Sequence, residues 1–284
     1  MLIDTHAHLD FSDFASDLDE VIARARDAAV TRIITIGTTI EGSRRAVALA
    51  DAHPEVFAVV GIHPNHALEA PPECIAELRE LARHPRVVAI GEVGLDYHRL
   101  PGAQALKPLP AAYAEMPLND PREVSAAVRD GAVKAAQAEL FTAQLDLAIE
   151  LGLNVIIHER DAWQDTLEML ESFHGKVRTV FHCFGKSIEQ ARIVIDHGHL
   201  VSFTGLVTFK NAPVVHETAM QVPAGTFMVE TDCPFLAPVP HRGKRCEPAH
   251  TRNVAERLGE LRGVAWEEIA RETTATAERF FRFP

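Results

Sequence analysis

Two histidines stand two residues apart in the stretch DTHAHLD, Asp4 to Asp10, directly after the apolar start Met1-Leu2-Ile3. At the end of a strand, side chains two apart project from the same side, so His6 and His8 can reach one point in space. Two imidazoles aimed at one point begin a metal site. Groups of the same kind follow other short apolar, β-branched runs: His63 after VFAVVG, Glu92 after VVAIG, His158 closing LNVIIH, His182 closing VRTVFH, and Asp232 just past TFMVE. His6, His8, His158 and His182, with the carboxylates Glu92 and Asp232, exceed the three or four protein ligands of one catalytic zinc. That surplus favours two ions sharing a carboxylate, and Glu92 is the natural bridge. His53 and His84 make the contrast. Each precedes a proline and a new run, as at a helix C-terminus where a histidine can serve the last carbonyls, so both are read as structural.

The elements that must position these groups form a repeated pattern. Eight runs have strand character: Met1 to Asp4, Arg32 to Gly37, Val56 to Gly61, Val87 to Gly91, Leu153 to His158, Val177 to His182, His199 to Phe203 and Thr226 to Glu230. Segments of helical spacing lie between them, such as Leu18, Val21, Ile22, Ala25 and Ala29, or Ile188, Ala191, Val194 and Ile195. Eight alternating β and α units imply an α/β fold of parallel strands closed as a (β/α)8 TIM barrel, one domain over residues 1–284. An open doubly wound sheet is the alternative, but no GxGxxG follows the first run. In a TIM barrel the C-terminal strand ends carry the chemistry, and that is where the candidate ligands gather. Pro101 to Lys134 breaks the rhythm after strand four. It is rich in proline and alanine and reads as a surface insertion or as a lid over the site.

With 47% hydrophobic residues the 284-residue chain can bury a large core, and its net charge of −12 argues against coating long nucleic acid by bulk attraction. Cys74, Cys183, Cys233 and Cys246 form no CxxC and read as free thiols of a reducing cytoplasm. Cys183 and Cys233 each follow a proposed ligand, and both read as small buried residues, with Cys183 pointing outward from the strand of His182. No basic region precedes an apolar stretch at the N-terminus, and no run approaches the ~18 apolar residues of a membrane span, so neither export nor a membrane partner is expected.

The segments DTHAHLD, GIHPN, GEVGLDYH, FTAQLDLAIELGLNVIIHERDAW, HCFGK, GLVTFKNA and ETDCPFLAPVPHRGKRCEPAH together resemble the TatD family of metal-dependent hydrolases, a branch of the amidohydrolase-like barrels. The resemblance implies that His6 and His8 hold a first metal, Glu92 bridges, His158 and His182 hold a second, and Asp232 binds the first metal and handles a proton. Three departures stand outside the ligand positions: the insertion, His250 where an aromatic residue is common, and a C-terminal TTATAERFF without a commonly found asparagine.

Such a pair of ions lowers the pKa of a shared water, and Asp232 and Glu92 are then the catalytic carboxylates. PHRGKR follows Asp232 closely, which makes Arg242, Lys244 and Arg245 candidate phosphate contacts, with Arg160, Lys210 and His63 beside them. The resemblance implies a 3′→5′ exonuclease, a deoxyribonuclease on ends of single-stranded DNA or also of RNA, acting as a monomer. An ester or amide hydrolase is the second expectation, and a scaffold recruiting partners through the insertion is the third. An imidazole-rich site favours zinc, manganese, nickel or iron as bound ions, whereas the family's nuclease activity points to magnesium or manganese in assay.

Overall fold

The computed structural model describes residues 1–100 and 126–284. Eight strands, β1 (Leu2–Ala7), β2 (Val30–Ile36), β3 (Val56–Val60), β4 (Val87–Asp96), β5 (Asn154–Arg160), β6 (Thr179–Phe181), β7 (Leu200–Phe203) and β8 (Phe227–Val229), pair in chain order, each parallel to the next. Helices fill the crossovers, α1 (Leu18–Asp27), α2 (Ile40–Ala52), α3 (Cys74–Ala82), α4 (Ala126–Leu151), α5 (Trp163–Glu171), α6 (Ile188–Asp196) and α7 (Pro213–Gln221), and α8 (Thr251–Arg262) and α9 (Trp266–Phe281) follow β8. This is the TIM barrel expected from the eight alternating units. The candidate lid falls largely on residues 101–125, outside the described residues. Residues 126–134, grouped with the insertion on sequence, are instead the first turns of α4.

Local signals explain several boundaries. Ser187 and Gln190 exchange side-chain and backbone hydrogen bonds as a capping box ahead of α6, and α8 stops where Gly263 turns left-handed. Ala29, counted into the first helix on spacing, lies beyond α1 with φ of 66°. His53 and His84 do follow helices, but neither ring serves a helix carbonyl. Nδ1 of His84 accepts the Arg86 N–H, its Nε2 stands 3.2 Å from Asp51, and His53 faces Asp19 at 3.8 Å.

Alternation along the strands divides the apolar residues into two layers. Ile3, Ile34, Ile36, Phe57, Val59, Ile156, Val180, Leu200 and Met228 fill the barrel interior, and Phe280 and Phe281 of α9 plug its N-terminal mouth. Residues such as Ile33, Val56, Ala58, Val155 and Val201 face outward against Val21, Ala46, Leu78 and Leu145 of the helices. With one mouth plugged, the opposite, C-terminal mouth is left for chemistry.

Closure between β1 and β8 depends on few bonds. Ala7 bridges to Cys233, His8 N–H donates to the Cys233 carbonyl (2.8 Å), and Asp232 N–H donates to the His6 carbonyl (2.8 Å). The fully buried Asp4 carboxyl accepts both the Thr231 N–H (2.9 Å) and the Thr231 hydroxyl (2.6 Å). This clasp fixes the chain entering Asp232 against the chain entering His6. Thr231→Val keeps the volume but leaves one carboxyl oxygen without its hydroxyl donor. We expect it to cost about 1–3 kcal/mol, read as a lower urea midpoint at unchanged m-value.

Candidate metal centre

All six ligand candidates arrive at the C-terminal mouth, by routes that differ in detail from strand ends. β1 continues three residues past the expected Asp4, so His6 is on the strand and His8 is one residue beyond it. A register shift between Asp4 and Ala7 interrupts the pleat, and the two rings converge with centroids 5.1 Å apart. β4 continues to Asp96 and β5 to Arg160, which places Glu92 and His158 within strands. β6 and β8 stop early, leaving His182 and Asp232 in the following loops. β4 and β5 approach so closely beside the site that a first side-chain carbon on Gly94, whose φ is +137°, would lie 2.1 Å from the His158 carbonyl oxygen.

The centre is arranged around Glu92. Its Oε2 faces His6 Nε2 at 3.6 Å and His8 Nε2 at 3.8 Å, while its Oε1 faces His158 Nδ1 at 2.8 Å and His182 Nε2 at 2.9 Å. Asp232 Oδ1 joins the first pair, 3.3 Å from His8 and 3.7 Å from His6. Donors placed tetrahedrally 2.0–2.1 Å from one ion stand roughly 3.3 Å from each other. These separations are of that size, and they form two groups meeting at one carboxylate: His6, His8 and Asp232, and Glu92, His158 and His182.

Hydrogen-bond partners settle which ring nitrogen is free to ligate. Nδ1 of His8 faces the Ile36 carbonyl at 3.3 Å and Nε2 of His158 faces Asp96 Oδ2 at 3.2 Å, so each donates a proton there and turns its other nitrogen to Glu92. His182 points Nδ1 toward Glu230 at 3.7 Å and Nε2 inward. Both nitrogens of His6 and Nδ1 of His182 are buried without a hydrogen-bond partner, a costly state that a bound cation relieves at the inward-facing atoms. The donor set therefore fits divalent metal ions. His63 is different. Its Nδ1 accepts the Asn65 N–H at 3.0 Å, so the neutral ring carries its proton on Nε2, which faces Glu92 Oε1 at 3.6 Å. A nitrogen holding a proton is a donor rather than a ligand, so the group His63, Asp96, His158 is not a third metal site.

Charge follows the same division. Burial pushes Glu92 up, but the surrounding imidazoles and the bonds from His158 and His182 hold it well below the ordinary carboxylate range. Burial opposes charging of His8 and His158, yet the Asp232 and Asp96 bonds and the Glu92 charge raise both to about 9. Burial lowers His63 to about 3, keeping it neutral.

Above these groups opens a cavity of about 1010 Å³. His63 and Arg160 line it. Lys210, Arg242, Lys244 and Arg245, the other candidate substrate contacts, do not. Arg245 is engaged with Asp17 (2.7 Å) and Glu247 (2.8 Å), and Arg242 lies over the Phe209 ring at 3.6 Å. Cys183 differs from expectation. β6 has ended before it, its φ is +49°, and it lines the cavity with Sγ 3.5 Å from Thr204 Oγ1 instead of facing the helices. Sequence reasoning missed Asp96 and Glu230 behind the histidines. It also missed Lys186, a cavity cation paired with Glu159 at 2.9 Å. The carboxylate Asp96, four residues after Glu92 in GEVGLD, was the visible signal for a longer fourth strand.

Two glutamines brace the rim. Gln144 of α4 accepts from Ile62 N–H (2.7 Å) and donates to the Ile62 carbonyl (3.1 Å), and Gln137, two turns earlier, does the same to the Asp96 peptide groups at 3.0 and 3.1 Å. They hold the chain beside His63 and at the end of β4.

Comparison with known proteins places the chain among similar ones. The family model described as TatD related DNase matches residues 3–282. The chain is 38% identical over 283 residues to the Bacillus subtilis (strain 168) protein named uncharacterized metal-dependent hydrolase YabD, covering 99% of each. It is 32% identical over 287 residues to the Erwinia tasmaniensis protein named 3'-5' ssDNA/RNA exonuclease TatD, again covering 99% of each. Among solved structures it is similar to the TatD homologue YJJV of Escherichia coli K12, with a TM-score of 0.82, 26% identity and coverage of 100% and 98%.

Because His8 and His158 keep their protons to about pH 9 without a cation, a metal entering at pH 7 must displace them. Zinc or manganese added to chelator-stripped protein should release roughly two protons, seen as a binding heat that scales with buffer ionisation enthalpy. The affinity should rise from pH 6 to pH 9 and then level off. A buffer-independent heat would show that these imidazoles are not ligands.

Proposed function

The chain belongs to the TatD-related DNase family of metal-dependent hydrolases, and from that membership we propose that it is a two-metal 3′→5′ exonuclease on single-stranded DNA or RNA. The observation that carries the two-metal reading is the divided Glu92 carboxylate, one oxygen toward each histidine pair. Support for the substrate comes from the name of the Erwinia relative and from a cavity open enough to take a strand end but lined by few cations.

His6, His8 and Asp232 would hold one ion, His158 and His182 the other, with Glu92 shared. Divalent cations bound there supply Lewis acidity to a scissile phosphoryl group and make water acidic enough to ionise near neutral pH. Asp232 is the carboxylate that takes the proton of the attacking water. Its side chain is 15% exposed, against 5% for Glu92, so only Asp232 meets the cavity freely. His63 donates its Nε2 proton in a hydrogen bond to a phosphoryl oxygen, and being neutral it need lose no charge to do so. Arg160 and Lys186 position neighbouring phosphates. Every proposed ligand comes from one chain, so a monomer suffices. The four cysteines are free thiols, consistent with work in a reducing cytoplasm, and among the described residues no helix is long and apolar enough to cross a membrane.

The test uses single-stranded oligonucleotides labelled at either end and chelator-stripped protein given magnesium or manganese. Stepwise shortening from the 3′ end is expected, falling roughly 10²–10³-fold or more in Glu92→Ala. Turnover of small esters or amides with intact oligonucleotides would overturn the nuclease reading. His63→Ala should lower kcat by about 10²-fold while bound metal, measured by elemental analysis, stays at the wild-type level. Loss of metal in that variant would make His63 a ligand after all.

A further inference from the structure

Two ligands are each followed, three residues later, by a phenylalanine tied back to them. Phe11 N–H donates to the His8 carbonyl at 3.2 Å, and Phe235 N–H donates to the Asp232 carbonyl at 3.0 Å. Two separate turns thus bring aromatic rings to the same side of the cavity, where the rings meet edge to face with centroids 6.1 Å apart. Phe11 is committed to packing. It is half-buried and stacks on His8 at 4.8 Å and 23°. Phe235 is not. It is 52% exposed, the one exposed aromatic side chain among the described residues, and it stands with its centroid 6.3 Å from His8.

Exposure of a large apolar ring beside a buried ionic centre calls for an occupant with a flat apolar face. The strand order adds the second half of the argument. Phe11 and Phe235 follow β1 and β8, which are adjacent across the seam, whereas Arg160 comes from β5, half-way round the barrel from β1, and Lys186 from the loop after β6, two strands from β8. The cavity therefore has apolar rings at one edge and, away from them, the cations Arg160 and Lys186 set among the carboxylates Glu159 and Asp161, with the metal centre between. A nucleotide chain end has the same polarity, a base on one side of the scissile phosphate and further phosphates on the other.

We propose that Phe235, backed by Phe11, is the stacking platform for the 3′-terminal nucleobase, and that it sets the preference for a base-bearing end. This rests on the nuclease reading and deepens it. The face of a ring accepts any base, so the platform gives tolerance of sequence and intolerance of a missing base.

The test measures binding apart from cleavage. A phosphorothioate-linked oligonucleotide ending in 3′-terminal 2-aminopurine, held with wild-type protein in magnesium, should lose fluorescence as the base stacks. Phe235→Ala should abolish the quenching and bind about 5- to 150-fold more weakly, while Phe235→Trp restores both. An oligonucleotide with an abasic 3′ residue should bind wild type and Phe235→Ala alike. Equal binding of the base-bearing end by wild type and Phe235→Ala, with ordinary oligonucleotides still shortened, would overturn the platform and leave the nuclease standing. Neither binding nor shortening by wild type would remove the nuclease reading and the platform with it.

Discussion

One buried carboxylate governs this molecule. Glu92 sits 4% exposed at the mouth of an apolar barrel, where an uncompensated negative charge is expensive. Imidazoles compensate it, His158 and His182 at direct contact and His8 at 3.8 Å, while burial and the His182 charge keep His6 from charging; the positive charge can come from protons or from cations. When protons supply it, His8 and His158 stay charged well above neutrality, and the same inward nitrogens are the ones a cation would meet. Protons and a cation would answer one electrostatic demand, and the outer partners Asp96, Glu230 and the Ile36 carbonyl hold the rings of His158, His182 and His8 in their orientations.

The scaffold meets that demand by bringing donors from strands far apart in sequence. β1, β4 and β5 contribute from within or just past their strands, but the ladder is interrupted between Asp4 and Ala7 and between Ile90 and Val93, so His6 and Glu92 sit at irregularities while His158 pairs in register opposite Gly94. β6 and β8 are three residues each, and their donors depend on other restraints. For Asp232 the restraint is the Asp4–Thr231 clasp. For the chain leaving His182 it is the Cys183 N–H donated to Glu230 Oε1 at 2.6 Å. Polar groups therefore replace strand pairing where the sheet is shortest.

Much of this was legible in the sequence, and the reasons are physical. Eight apolar runs separated by helical spacing allow few other architectures, and groups at strand ends in a barrel have little choice but to converge. The six ligand candidates do converge. What sequence could not give was direction. Cys183 was assigned to the helix layer by strand alternation, but alternation holds only while the strand lasts, and β6 ends at Phe181. The cations of PHRGKR were assigned to the rim by nearness to Asp232. Asp17, 228 positions away in sequence, takes up Arg245 together with the neighbouring Glu247, and no local pattern reports the distant partner. Lys186, a cation that does line the cavity, was hidden in HCFGK because a single lysine after a candidate ligand carries no signal of its own.

The glutamines of α4 have a consequence for how this fold can vary. Each addresses a peptide group through both its donor and its acceptor, and a peptide group is the same whatever side chain is attached to it. The position of α4 over the site is thereby held, beyond its apolar packing through Phe141 and Leu145, by contacts indifferent to the side chains of the residues they touch. It is also fixed from the far side of residues 101–125, so the helix finds its place by docking rather than by the length of chain that leads into it. A joint of this kind separates two design problems that most connections combine: the spacing of the catalytic rim, and the content of the segment strung between its two ends.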